Sequence, residues 1–382
     1  MNCNFDKTVD RTQSFSEKWD LSEDVFKQSN ILPMWVADTD FMPPEYVTSA
    51  IIERVSSSPL GYTFVPSDFF KAITSWYLRR HKIRIKSQNI VANATVMSSI
   101  NLLLRSLTQS NDSVLVFSPV YFPFFNTICN LKRKPIYCDL KYGKKGLMID
   151  FNLLEQQIKN CKPKVLLFCN PHNPGGRVWD PEELEKLLQI MKKYEISIIS
   201  DEIHGDLVFP SESFNPLITF AGAYKKNIFT LSAPTKTFNI AGLKSSFMIS
   251  YNPKITEAFT RLHDIDNYPK LNTLAITATI AAFNNGDAYL DNLNEYIFQN
   301  YCYIKKHLDK KYSILPSQGT FLLFIHTPIN YNDNAFYRKI TKLGLGIQMG
   351  SIFGSNGQGY FRINIGTTKK NIKKAIAILN SI

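Results

Sequence analysis

Two things are missing from this chain: closely spaced cysteines and long apolar runs. Its six cysteines (Cys3, Cys129, Cys138, Cys161, Cys169 and Cys302) include no CxxC pair, and several lie in apolar, strand-like stretches. A chain of 382 residues can bury a sizeable core without staples. Free buried thiols are therefore expected rather than disulfides, and no metal is expected. No apolar stretch approaches the roughly 20 residues that span a bilayer. The start, Met1-Asn2-Cys3-Asn4-Phe5-Asp6, lacks the basic-then-apolar order of a secretory signal. A cytoplasmic protein with no membrane partner is the expectation. Internal repeats, low-complexity segments and nucleic-acid motifs are absent too. The net charge of +12 is spread along the chain, with small clusters only at Lys141 to Lys145 and Lys369 to Lys374. Solvated faces account for it, anionic small molecules being attracted as a side effect, and no nucleic-acid partner is expected.

Hydrophobic residues at 44% against 20% charged residues place the chain among soluble globular proteins, and its length favours two domains. Residues 1 to about 45 read as irregular, broken by Pro33, Pro43 and Pro44. Ile51 to Val55 ends a short helix, Pro59-Leu60-Gly61-Tyr62 is a turn, and apolar spacing predicts helices over Phe69 to Arg80 and Thr95 to Leu107. Short apolar runs then recur at Val114 to Phe117, Pro135 to Cys138, Val165 to Cys169, Ile196 to Ser200 and Ile228 to Leu231. Between them, the clearest helix opens with Asp180-Pro181-Glu182-Glu183 and continues to Lys193. It has a capping acid, a first-position proline and acids in its first turn. Apolar strands alternating with helices argue an α/β fold with a mostly parallel sheet covered on both faces. Beyond about residue 290, the helical stretch Leu290 to Leu308 and the strand-like runs Thr320 to Ile325 and Tyr360 to Ile365 suggest a smaller α+β domain.

In such sheets ligands bind outside the carboxyl ends of the strands, so the residues that follow each strand carry the chemistry. Those positions hold Tyr121, Asn173-Pro174-Gly175-Gly176, Asp201-Glu202-Ile203-His204, and Ser232-Ala233-Pro234-Thr235-Lys236. Each has a plain structural explanation: an interface aromatic, a turn, a helix cap, a core histidine, a solvated loop lysine. Jointly they are what one aromatic, phosphorylated, aldehyde-bearing cofactor requires. Its ring needs a stacking partner, its phenolic oxygen a neutral donor, its pyridine nitrogen a carboxylate and its aldehyde a lysine.

The order Tyr62, Tyr121, Asn173-Pro174-x-Gly, Asp201-Glu-Ile-His204, Ser232-x-x-Thr-Lys236 and Phe361-Arg362 resembles fold-type I pyridoxal-phosphate enzymes of the aminotransferase class I/II group. Leu32 to Phe41, Ser200 to His204 and Lys236 to Leu243 are closer still to the MalY/PatB-type cystathionine β-lyases. The resemblance covers nearly the whole chain and implies the aspartate aminotransferase-like fold, with a mostly parallel seven-stranded sheet. The domains it implies are an N-terminal segment (1–48) joining the small domain, a large pyridoxal-phosphate domain (49–288) and a small C-terminal domain (289–382). Lys236 would hold pyridoxal 5'-phosphate as an internal aldimine and, once freed, take the Cα proton. Asp201 would pair with the pyridinium, Asn173 would donate to the phenolic oxygen with His204 close by, and Tyr121 would stack on the ring. Arg362 would clamp the substrate α-carboxylate. Tyr62 would reach the phosphate or substrate of the neighbouring subunit, implying a homodimer with shared sites.

The phosphate pocket departs from the family pattern. Backbone N–H groups near Val96 and Met97, at a helix N-terminus, should meet the phosphate. Asn93-Ala94 stands where a Gly-Pro turn is common, and Ala233 replaces the usual hydroxyl three residues before the lysine. Ser232 and Thr235 flank that gap, and Lys244 reads as a cationic substitute for a phosphate-binding arginine. For the reaction, His204 stands where aminotransferases usually carry a tyrosine, which favours β-elimination from an amino-acid substrate: L-cystathionine or a related cysteine S-conjugate would give a thiol, pyruvate and ammonia. Transamination is the alternative, and a regulatory protein that binds the cofactor without turnover is a third.

Overall fold

The computed structural model describes residues 4–328 and 330–382, so Cys3 lies outside the described residues. Its centre is a seven-stranded sheet: β1 (Ile90–Asn93), β2 (Ser113–Ser118), β3 (Lys134–Asp139), β4 (Val165–Cys169), β5 (Ser197–Asp201), β6 (Ile228–Ser232) and β7 (Ser246–Ser250), in the order β1-β7-β6-β5-β4-β2-β3. β2 to β6 are mutually parallel, and β7 alone runs against its neighbours β1 and β6. Alternate residues of the inner strands enter different cores. Leu115, Phe117, Leu166 and Phe168 pack with helices Phe151–Cys161 and Pro181–Lys193, while Val114, Val116, Val165 and Leu167 pack with helix Val96–Leu107. A strand buried on both faces needs an unbroken apolar run, which is why these strands were legible.

The predicted bounds shift in places. β5 begins and ends one residue later than Ile196 to Ser200, so Asp201 is the last residue of the ladder, paired with Cys169 and Leu231. β1 and β7 carry no counterpart in the sequence reading. The stretch before residue 45 includes a short helix at Ser22–Phe26, and the long C-terminal helix runs Asp287–His307. Five free cysteines are described, but only Cys138 and Cys169 are buried; Cys129 and Cys302 are exposed and Cys161 is half-buried. The expectation of buried thiols fails for these three because they sit on helices that keep one face in water. Among the described residues, no helix is long and apolar enough to cross a membrane.

A second, antiparallel sheet is built from β8 (Ser313–Ile314), β9 (Leu322–His326), β10 (Gln348–Met349) and β11 (Tyr360–Asn364), in the order β8-β9-β11-β10. Leu32–Pro33 pairs in parallel with Leu345–Gly346, so the N-terminal segment lies against this C-terminal part. From there the chain runs on beside β11, the Met34 carbonyl accepting the Asn364 N–H and the Asp40 N–H donating to the Gly366 carbonyl, and Ala37 meets Lys236 after β6. That passage brings the N-terminal backbone to the carboxyl ends of β4 to β6.

Candidate active site

At those strand ends lies a cavity of about 180 Å³, lined by Ala37, the Thr95–Met97 turn, Tyr121, Asn173, Asp201, His204, Thr235, Lys236 and Lys244. Four of the predicted strand-end groups thus meet in one space. Lys236 lies in the turn after β6, its amine donating to the Ala37 carbonyl at 2.6 Å. Burial lowers the lysine's affinity for its proton and the Arg362 cation adds to that, while Asp38 and Asp201 oppose it. Burial pushes the Asp201 carboxyl up to about 7, against the Ile203 N–H and the Lys236 charge, which pull it down. The Ile203 N–H donates to it at 3.1 Å.

His204 is buried, its affinity for a proton lowered to about 3 by burial and by the charges of Lys236 and Arg362, so the ring is neutral. Its Nδ1 has no hydrogen-bond partner among the described residues. Tyr121 follows β2 and keeps its hydroxyl proton, because burial and Asp201 both disfavour the phenolate. Arg362 comes from β11. Its Nη1 donates to Asn173 Oδ1 at 3.0 Å and its Nη2 to the Trp35 carbonyl at 2.7 Å, with Gln348 as a further acceptor. The guanidinium lies over the Phe353 ring, 4.9 Å from its centroid. Burial pulls Arg362 down to about 10, which leaves it charged at neutral pH.

The anion-binding side is the first turn of helix Val96–Leu107. Thr95 caps it, Oγ1 accepting the Ser98 N–H at 3.0 Å. The N–H groups of Val96 and Met97 stand in the first turn, where a helix offers no acceptor of its own. Thr235 lines the same cavity, and Lys244 is exposed at its rim.

Three predicted residues do not line the cavity; Arg362 stands behind Asn173, and the other two lie farther off. Ser232 turns away from the cavity and donates to the Glu202 carbonyl at 3.4 Å. Neighbouring residues of an extended chain point to opposite faces, and Ala233 takes the cavity side. Tyr62 is fully exposed, on the irregular stretch between two helices, and is not part of the cavity of its own chain. The sequence reading missed Ala37 as a partner of Lys236, because a backbone carbonyl leaves no residue-type signature. Gln348 was missed as well; it occupies a two-residue strand too short to read.

Fold and site together define the aspartate aminotransferase-like class of α/β enzymes, built around a lysine, a carboxylate and an amide at neighbouring strand ends. The chain belongs to the aminotransferase class I and II family, whose sequence model matches residues 32–379. It is 30% identical over 378 residues to cystathionine β-lyase PatB of Bacillus subtilis, with 98% of each chain covered. It is 29% identical to protein MalY of Escherichia coli, over 99% of this chain and 98% of that one. Among solved structures it resembles cystalysin of Treponema denticola, which contains pyridoxal 5'-phosphate, with a TM-score of 0.96 and 31% identity over 100% and 98% of the two chains.

The residues of this cavity fit such a group. Asp201 is a buried carboxyl, the His204 ring has a nitrogen without a partner among the described residues, and the first turn of the helix lines the cavity.

Proposed function

We propose that this protein is a pyridoxal-phosphate-dependent carbon–sulfur lyase. It takes L-cystathionine, or a related cysteine S-conjugate, to a thiol, pyruvate and ammonia. One observation carries the reading: the Lys236 amine is buried at one cavity wall together with the Asp201 carboxyl, in a chain matched end to end by a named cystathionine β-lyase. Asp201, Asn173, Tyr121 and His204 hold the cofactor ring, while Val96, Met97, Thr235 and Lys244 hold its phosphate. When bound, the cofactor supplies an electron sink for the bond broken at the substrate Cα.

The protein's own groups do the rest. Lys236, its proton affinity lowered by burial, takes the Cα proton as general base. Arg362, still charged and held by Asn173 and the Trp35 carbonyl, receives the α-carboxylate as a two-pronged donor. The sulfur leaves Cβ with the C–S electron pair, takes up a proton and is released as a thiol, and one water supplies the keto oxygen of pyruvate as ammonia leaves.

The working unit is a homodimer in which Tyr62 reaches the partner's site. Tyr62 and Phe64 lie almost fully in water, and Met42, Ile52, Val55 and Leu60 expose further apolar surface on the same part of the chain. Apolar surface of that kind favours a second copy over solvent. The five thiols among the described residues, all free, support a cytoplasmic reading.

The experiment mixes purified protein, pyridoxal phosphate and L-cystathionine, and follows thiol and pyruvate. Equal amounts of both are expected. Conversion of the cofactor to its pyridoxamine form without thiol would make the protein an aminotransferase. A cofactor spectrum unmoved by any amino acid would make it a binding protein.

A further inference from the structure

The N-terminal segment carries ion pairs into the interior. Arg11 grips Asp38 with both terminal nitrogens, Nη1 to Oδ1 at 3.1 Å and Nη2 to Oδ2 at 2.8 Å, and reaches Asp40 Oδ1 at 3.0 Å. Lys18 is fully buried. Its Nζ meets the same Asp40 oxygen at 3.0 Å and the Asp38 carbonyl at 3.2 Å, and Trp19 Nε1 donates to that oxygen at 2.9 Å. Two cations and two carboxylates therefore neutralise one another behind residues 35–39. Buried ion pairs are a poor route to stability, since apolar residues of similar volume often do as well. What the cluster holds is a better account of it.

It holds a strip of backbone that serves the active site. The Trp35 carbonyl accepts from Arg362 at 2.7 Å, the Val36 carbonyl from Asn364 at 2.6 Å and the Ala37 carbonyl from Lys236 at 2.6 Å. Asn239, three residues beyond Lys236, clasps Thr39 from both sides: Nδ2 donates to its carbonyl at 2.9 Å and Oδ1 accepts its N–H at 3.2 Å. The proton-transfer amine and the carboxylate clamp are thus both referenced to one short stretch of main chain.

We propose that Arg11 and Lys18 are positioning residues: by clamping Asp38 and Asp40 they hold the Trp35–Thr39 carbonyls in register with the Lys236 amine and the Arg362 guanidinium. The roles of Lys236 and Arg362 rest on the lyase reading; the clamp itself does not. A second consequence is electrostatic, because Asp38 is the leading charge that favours the protonated Lys236 and Arg11 partly neutralises it. Asp201 and Glu17 also favour the charged amine, and Arg362 opposes it.

The test compares full-length wild type with Arg11→Met, Arg11→Lys and Asp38→Asn. Labelling of Lys236 by an amine-reactive reagent across pH, read by peptide mass spectrometry, reports the lysine without turnover or cofactor. Arg11→Met is expected to raise the labelling midpoint by about half a pH unit, and Asp38→Asn to lower it by a similar amount. Arg11→Lys keeps the charge but loses the two-pronged grip, so its midpoint stays near wild type. With cofactor and cystathionine, KM is expected to rise about tenfold in both Arg11 variants as Arg362 loses its register. Unchanged midpoints, or shifts of one sign in Arg11→Met and Asp38→Asn, would overturn the proposal and reduce the cluster to a structural staple. If Arg11→Met does not fold, the direction of the Asp38→Asn shift and the KM of Arg11→Lys decide it. A wild type that releases no thiol would sink the lyase reading while leaving the labelling result standing.

Discussion

Arg362 Nη1 donates to Asn173 Oδ1 at 3.0 Å across 189 positions of sequence, joining a strand of the small sheet to the loop after β4. The group assigned to the substrate carboxylate and the amide assigned to the cofactor are therefore one mechanical unit. Arg362→Lys keeps a charge but cannot reach Asn173, the Trp35 carbonyl and Gln348 together. Loss of one charge-assisted bond, about 1.5–3 kcal/mol, should raise KM roughly 10- to 100-fold. Steady-state kinetics on cystathionine check it; an unchanged KM would remove Arg362 from the carboxylate site.

Lys236→Ala should abolish the covalent attachment of the cofactor and lower turnover by about 10²–10⁴-fold, the usual worth of a positioned general base. Absorbance of the linked cofactor and thiol release are the two readouts. Survival of turnover in this variant would defeat the whole assignment of the site.

The proposed sharing of sites between two subunits can be tested by a mixing experiment. Lys236→Ala and Tyr62→Ala are each expected to be strongly impaired. Unfolding and refolding them together yields hybrid dimers in which one of the two sites has both native residues, and about a quarter of wild-type activity should return. No recovery would place Tyr62 outside the partner's site.

Stability should depend on Glu202, which is buried beside Asp201. Ser200 Oγ donates to its Oε1 at 2.8 Å and the Leu217 N–H at 3.1 Å, while Oε2 has no partner among the described residues. Burial pushes this carboxyl up to about 8, so the folded protein holds a proton there that the unfolded chain releases above about 4.5. That contribution is complete below pH 4.5 and is lost as pH rises through 8. Urea midpoints of wild type should therefore fall between pH 5 and 8 more steeply than those of Glu202→Gln. Parallel curves would show that Glu202 is ionised in the fold.

Much of this was legible from sequence, for a physical reason. Parallel strands covered on both faces must be apolar throughout, so β2, β4, β5 and β6 stood out, and ligand chemistry at their carboxyl ends pointed to Tyr121, Asn173, Asp201 and Lys236. β7 did not register, since Ser246-Phe247-Met248-Ile249-Ser250 is short and flanked by serines. Ser232 lies off the cavity lining because a single step along an extended chain reverses the facing side chain, and no composition rule reveals which neighbour turns inward. Ala37 was invisible as a partner for the lysine, because its contribution is a carbonyl every residue possesses.

The strip that receives Lys236 also constrains when the site can exist. Its partners are 199 residues away at Lys236 and 327 away at Arg362, whereas the helices and hairpins around them close over short distances. Contacts between such distant residues close slowly, after local structure has formed. Cofactor capture should consequently report the last stage of folding rather than guide the early ones. In a refolding reaction, the absorbance of the lysine-linked cofactor is expected to lag behind the far-ultraviolet circular dichroism signal, and a synchronous rise would show that the site forms with the sheet.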